Sequence, residues 1–128
     1  MPITMSPQVL TASTDAYITQ GITARLQTLS GASANGPITI SVIDYPVTVL
    51  SSQTATSTIT FSNVPSNFAN TWYVETSNRG SNTVNFSNVT WDGGGTPTLA
   101  TSGKSVLEFY SRDGGTTIYG RVRFANIA

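Results

Sequence analysis

Val89-Thr-Trp-Asp-Gly-Gly-Gly-Thr-Pro-Thr-Leu99 and, after a short polar link, Lys104-Ser-Val-Leu-Glu-Phe-Tyr-Ser-Arg-Asp-Gly-Gly-Thr-Thr-Ile-Tyr-Gly120 read as strand, glycine turn, strand, glycine turn, strand. Asp92, Gly93, Gly94 and Gly95 make the first turn, and Asp113, Gly114 and Gly115 the second. Only glycine escapes the steric penalty of positive φ at such turns, so the segment predicts a pair of hairpins. As chemistry it is nearly silent.

Working outward, the rest of the chain predicts further strands beside this segment. Residues 16–29 alternate in part, as a half-buried strand interrupted near Gly21 would, and a glycine-rich turn follows over 31–37. Residues 38–43 (Ile-Thr-Ile-Ser-Val-Ile), 47–50, 58–61 and 71–76 carry strand patterns, and Val84 and Phe86 share a face. Short strands at roughly ten-residue spacing, without a helix of convincing length, predict an all-β fold: one antiparallel β-sandwich or jelly-roll-like domain over residues 16–128. Its expected core is Ile40, Val42, Val49, Ile59, Phe61, Trp72, Val74, Val84, Phe86, Leu107, Phe109, Ile118 and Val122. Residues 1–15 are polar, with Pro2 and Pro7, and read as an extended N-terminal arm. Such an arm has too little apolar surface to order alone, which points to neighbouring subunits, or its own domain, as the support.

Six acidic and six basic residues leave no formal net charge, which favours neither nucleic acid nor a membrane surface as partner. Charged residues are 9% of the chain against about 25% in an average soluble protein. With so little charge to block strand edges, lateral association is easy, and the composition suits a subunit of an assembly. No cysteine is present, no apolar run approaches the ~18 residues of a membrane span, and the first residues lack the pattern of a secretory signal. A chain made in a cytoplasm, and leaving it only within a particle, is the expectation.

Histidine is absent, which removes Ser-His-Asp and Cys-His nucleophile systems and histidine metal sites. A glycosidase needs only two carboxylates, and the sharpest pairing is Asp92 with Asp113. Aspartate before glycine is, however, the ordinary cap of a turn backbone, and Glu108 fits an exposed strand position. Neither aspartate sits in an acidic calcium loop, and Gly93-Gly94-Gly95 lacks the Lys-Ser/Thr of a phosphate loop. The Asn85 and Asn88 glycosylation patterns fall in or beside strands. The expectation is no enzyme and no cofactor. Trp91, Tyr110 and Tyr119 could form a sugar-stacking surface, or could simply pack.

The order Trp91, Gly93-Gly94-Gly95, Pro97-Thr98-Leu99, Gly103-Lys104, Val106-Leu107-Glu108-Phe109-Tyr110, Asp113-Gly114-Gly115-Thr116-Thr117 and Tyr119-Gly120 resembles a C-terminal signature of tailed-bacteriophage tail-fibre, head-fibre and capsid-decoration proteins. Those proteins often carry Trp at the position of Ile118, or aspartate at that of Ser105. The resemblance implies a virion structural protein on the particle exterior, foremost a capsid decoration or cement protein. It implies a homotrimer contacting the major capsid protein or another virion subunit, with arm residues Pro2, Ile3, Met5, Val9 and Leu10 at subunit contacts. Its alternative is a tail-fibre or head-fibre domain that binds host glycan. Shortness, with no fibre shaft, favours the decoration protein.

Overall fold

The computed structural model describes residues 24–128. The expected arm and the first part of the strand predicted over 16–29 lie outside the described residues. The described chain is all-β. Nine strands occur, β1 (Leu26–Ser30), β2 (Gly36–Ser41), β3 (Val47–Ser51), β4 (Ser57–Ser62), β5 (Asn70–Ser77), β6 (Val84–Phe86), β7 (Val89–Trp91), β8 (Lys104–Ser111) and β9 (Ile118–Ile127). They form a six-stranded sheet in the order β1-β3-β5-β8-β9-β7 and a three-stranded sheet in the order β2-β4-β6.

The chain alternates between the two sheets from β1 to β6, and every pairing among these strands is parallel. The same length of chain separates Leu26 from its partner Val47 in one sheet and Gly36 from its partner Ser57 in the other. A longer step, nearly equal in the two sheets, follows, from Val47 to Tyr73 and from Ser57 to Val84. Residues 26–86 are therefore three stacked coils, each giving one strand to each sheet, as in a solenoid. A faint internal repeat accompanies the stacking: Ile38-Thr-Ile-Ser41 lies on Ile59-Thr-Phe-Ser62, and Leu29-Ser30 on Leu50-Ser51. The expected antiparallel arrangement holds only at β5–β8 and β8–β9. Alternation of period 2 reports which face a residue takes, not which strand lies beside it or in which direction.

The glycine-rich segment is half as expected. β8 and β9 form the second hairpin, with Tyr110 opposite Tyr119 and Phe109 opposite Gly120. The first hairpin is absent: β7 pairs with β9, in parallel, and residues 92–103 cross from the edge of the sheet to start β8. That crossing is pinned by the Arg79 guanidinium, which donates to the carbonyls of Asn82 and Leu99, and by Gly80 N–H on Thr101 O at 2.8 Å.

One core lies between the sheets. Ile38, Ile40, Ile59 and Val84 enter it from the three-stranded sheet, and Leu50, Trp72, Val74, Leu107, Phe109 and Ile118 from the other. Phe61, Phe86 and Val122 are half-buried against it, while Ala34 and Leu99 close it from loops. The expected core is thus largely realised, with Val49 as the exception. In β3 the inward residues are Thr48 and Leu50, both fully buried, and Val49 is on the outer face. Val47 and Val49 made the more apolar-looking alternation. The larger side chain, Leu50, takes the inward place and brings Thr48 with it, since a strand cannot turn one residue without turning its neighbours.

Five rings gather at the centre. Phe109 lies 4.8 Å from Phe61, 5.2 Å from Phe86, 5.8 Å from Trp91 and 6.1 Å from Trp72, centroid to centroid. Their tilted, stacked and edge-on geometries are those that aromatic quadrupoles favour. Trp91 reaches the cluster because its cross-strand partner is Gly120: a Cβ there would lie 2.8 Å from the indole Cζ3 and from Val89 Cγ1. At the hairpin turn Gly114 and Gly115 hold φ of 70° and 87°, and Gly93 and Gly94 hold 82° and 84° before the crossing; Gly95 is extended, at −128°.

Two expectations follow. Leu50→Ala should lower stability by about 2–5 kcal/mol through transfer and cavity terms, whereas Val49→Ala should cost less than about 1 kcal/mol. Denaturant titration giving the reverse order would place β3 with its other face inward. Gly115→Val should destabilise by about 1–3 kcal/mol and more than Gly94→Val, because a Cβ at 115 would meet Val64 Cγ2 at 3.2 Å and one at 94 meets nothing. Equal melting of the two variants and the parent would contradict the turn geometry.

Candidate functional site

Strand alternation sends Ser105, Leu107, Phe109 and Ser111 of β8 inward and leaves Val106, Glu108 and Tyr110 on the outer face of the six-stranded sheet. On β9, Tyr119 and Arg121 share that face. Hairpin register sets Tyr110 directly opposite Tyr119, and Glu108 opposite Arg121. β7 adds Thr90 beside Tyr119, and Asp92 and Gly93 rise at the end of the strand. Thr90, Asp92, Gly93, Glu108, Tyr110, Tyr119 and Arg121, together with Trp91 and Gly120, line a cleft of about 440 Å³ open to solvent. Tyr110 and Tyr119 are 37% and 52% exposed, so their rings are surface, not core.

The floor of the cleft is a fixed ion pair. Arg121 Nε donates to Glu108 Oε1 at 2.8 Å, and the Tyr73 hydroxyl donates to Oε2 at 3.0 Å. Arg123 Nη1 stands 3.8 Å from the same Oε2. The Arg121 hydrogen bond holds the Glu108 carboxyl below its ordinary value of 4.5, against the opposing effect of burial, with the Tyr73 hydroxyl assisting. The bond to Glu108, with burial, pushes the Tyr73 phenol up. Glu108 is therefore ionised at neutral pH, which is the opposite of what a general acid in glycoside cleavage requires.

The residues singled out from sequence divide. Tyr110 and Tyr119 are brought together. Trp91 faces inward, half-buried against Phe86 and Phe109, and contributes to the cleft wall rather than to a stacking platform. Asp113 is a turn cap: it accepts Thr117 N–H at 2.9 Å and the Ser111 hydroxyl at 3.1 Å, and the Thr117 amide leads the causes that lower its pKa. Asp92 does not cap its own turn; among the described residues no hydrogen bond satisfies it, and it borders the cleft. Asp92 thus shares a cleft with Glu108, not with Asp113. Among the described residues no group of three His, Cys, Asp or Glu side chains converges as a metal site would require, and no helix is long and apolar enough to cross a membrane.

Glu108 was weighed from sequence as a carboxylate and set aside as an exposed strand position, and Arg121, Thr90 and Tyr73 were not singled out as site residues. Two of them were reachable, since counting back from the Asp113-Gly114-Gly115 turn pairs Tyr110 with Tyr119 and Glu108 with Arg121. Thr90 and Tyr73 arrive through β7–β9 and β5–β8 pairings that alternation does not encode. Comparison with protein families, with curated proteins and with solved structures finds no match to this chain.

The lowered Glu108 pKa makes a pH prediction. The folded state prefers the carboxylate, so the contribution is fully present above the ordinary value of 4.5 and is lost as pH falls through the lower folded value. Because Arg121 is half exposed, screening keeps it to about 0–1 kcal/mol. Glu108→Gln should then shrink the gap in stability between pH 7 and the acid limb without removing it, as Asp113 titrates in the same direction. A Glu108→Gln protein with an unaltered pH dependence in urea titrations would show that the pair contributes nothing.

Proposed function

We propose that this protein is a non-enzymatic structural subunit of a bacteriophage virion, foremost a decoration or cement protein that works through contacts with copies of itself and with the shell. The observation that carries the reading is the outer face of the six-stranded sheet. Across it, register aligns Leu26, Val47 and Tyr73 in one row, which continues into the Glu108–Arg121 pair, and Thr28, Val49, Glu75, Val106 and Phe124 in the next. Leu26 and Phe124 are 58% and 51% exposed, and the charges in the two rows are Glu75 and the paired Glu108 and Arg121. A face of aliphatic and aromatic side chains on a chain with so few charges suits burial against another protein.

The resemblance of residues 91–120 to phage virion proteins supplies the setting, and trimeric assembly on a three-fold position is the arrangement it implies. Residues 1–15, with Pro2, Ile3, Met5, Val9 and Leu10, would add main-chain contacts to a neighbouring subunit. The carboxylates offer little support for an enzyme: Asp113 is bound within its turn, and Glu108 is held ionised by Arg121.

Light scattering should find the intact protein as a discrete trimer, and Phe124→Lys should shift it towards monomer while its circular dichroism is unchanged. Deleting residues 1–15 should leave the β spectrum intact and abolish retention on particles. An intact chain that is monomeric and binds no shell, or a truncated one that decorates at full occupancy, would overturn this assignment.

A further inference from the structure

We infer that the cleft between β7 and the β8–β9 hairpin is a binding site for an uncharged pyranose within a glycan chain. Tyr110 and Tyr119, direct cross-strand partners, put two exposed rings on one face of the sheet, where both line the cleft. A ligand that covers them must offer an apolar face, because each ring presents a π-surface with few polar demands. The polar groups around the rings narrow the choice. Asp92 is an exposed carboxylate at the cleft edge with no hydrogen bond from the described residues, so a ligand donor can take the place of its water. Arg121 has its Nε committed to Glu108, which leaves the Nη groups to donate to an acceptor. Glu108 itself is held on both oxygens, by Arg121 and by Tyr73, and serves to orient the guanidinium.

A sugar hydroxyl donates and accepts at once, and the C–H face of a pyranose is the apolar surface that such rings cover. The cleft, at about 440 Å³, lies within the ~300–1,000 Å³ range of small-ligand sites. Charge argues against the other ligands that stack on tyrosine. Within the lining Glu108 is offset by Arg121, which leaves Asp92 as the unbalanced charge and disfavours phosphate, sulfate and uronate groups beside it. A single-stranded nucleic acid would need a basic groove along its backbone, and the chain carries no net charge. The inference does not rest on the assembly reading, since Tyr110, Tyr119 and Asp92 lie outside the apolar rows proposed for subunit contact.

The test is a titration of the full-length protein followed by amide shifts of Thr90, Gly93 and Gly120. The neutral probes are hexamers of glucose, galactose and mannose; the charged probes are a galacturonate hexamer and a thymidine decamer. At least one neutral probe should saturate these amides. Tyr119→Ala should weaken that binding about tenfold or more, and Tyr119→Phe should keep it within about twofold. Asp92→Asn should weaken it without changing the melting temperature. The inference is overturned if no neutral probe moves these amides at about 10 mM, if a charged probe binds more tightly, or if binding ignores Tyr119→Ala while the protein remains folded.

Discussion

Close packing around Phe109 is the constraint on which the rest of the structure depends. Its ring touches aromatic neighbours delivered by β4, β5, β6 and β7, so both sheets and both ends of the C-terminal crossing meet at one side chain. Interiors at crystal-like density do not absorb displaced rings cheaply. Gly120 is the complementary requirement, since the indole of Trp91 occupies the space a Cβ would need. The cleft inherits its position from this packing. Tyr119 and Arg121 stand on the outer face because Gly120 between them stands on the inner one, and Glu108 and Tyr110 flank Phe109 in the same way.

The fold class was legible because period-2 patterning is a local property. Trp72 and Val74, or Leu107 and Phe109, announce their face from two residues away, and all four are buried as expected. Strand direction was not legible by the same means. Ile38, Ile40 and Ile59 would read identically in an antiparallel sheet, yet they stack in parallel coils. The signal that distinguishes the two was the recurrence of Ile-Thr-apolar-Ser at 38–41 and 59–62, a repeat too short to stand out beside the glycine turns. In β3 the expected inward residue was Val49, and the core takes Leu50 instead.

The cleft was half legible for a related reason. A tight turn fixes the register of the strands on either side of it, and the Asp113 turn therefore encodes the Tyr110–Tyr119 and Glu108–Arg121 pairs. The Asp92 turn encodes no such pairing, because the chain leaves the sheet there and returns beyond β9. Two Asp-Gly-Gly turns of the same composition thus do different work. One aspartate is consumed by its own backbone, and the other is left facing solvent at the mouth of the cleft.

The order in which the strands occur along the chain has a consequence for synthesis. Parallel coils offer no contact between sequence neighbours, so β1, β3 and β5 gain partners only across long stretches of chain, and such pairings form slowly. The tight hairpin β8–β9 is local, and it carries Phe109 and the edge on which β5 docks. That hairpin follows the coils along the chain and emerges from the ribosome after them. The coils must therefore wait, without Leu107, Phe109 and Ile118 of their core, until residues 104–127 arrive. During that interval, the strands that will later stack are available to strands of other nascent copies, and crowding on a polysome becomes a direct competitor of correct folding.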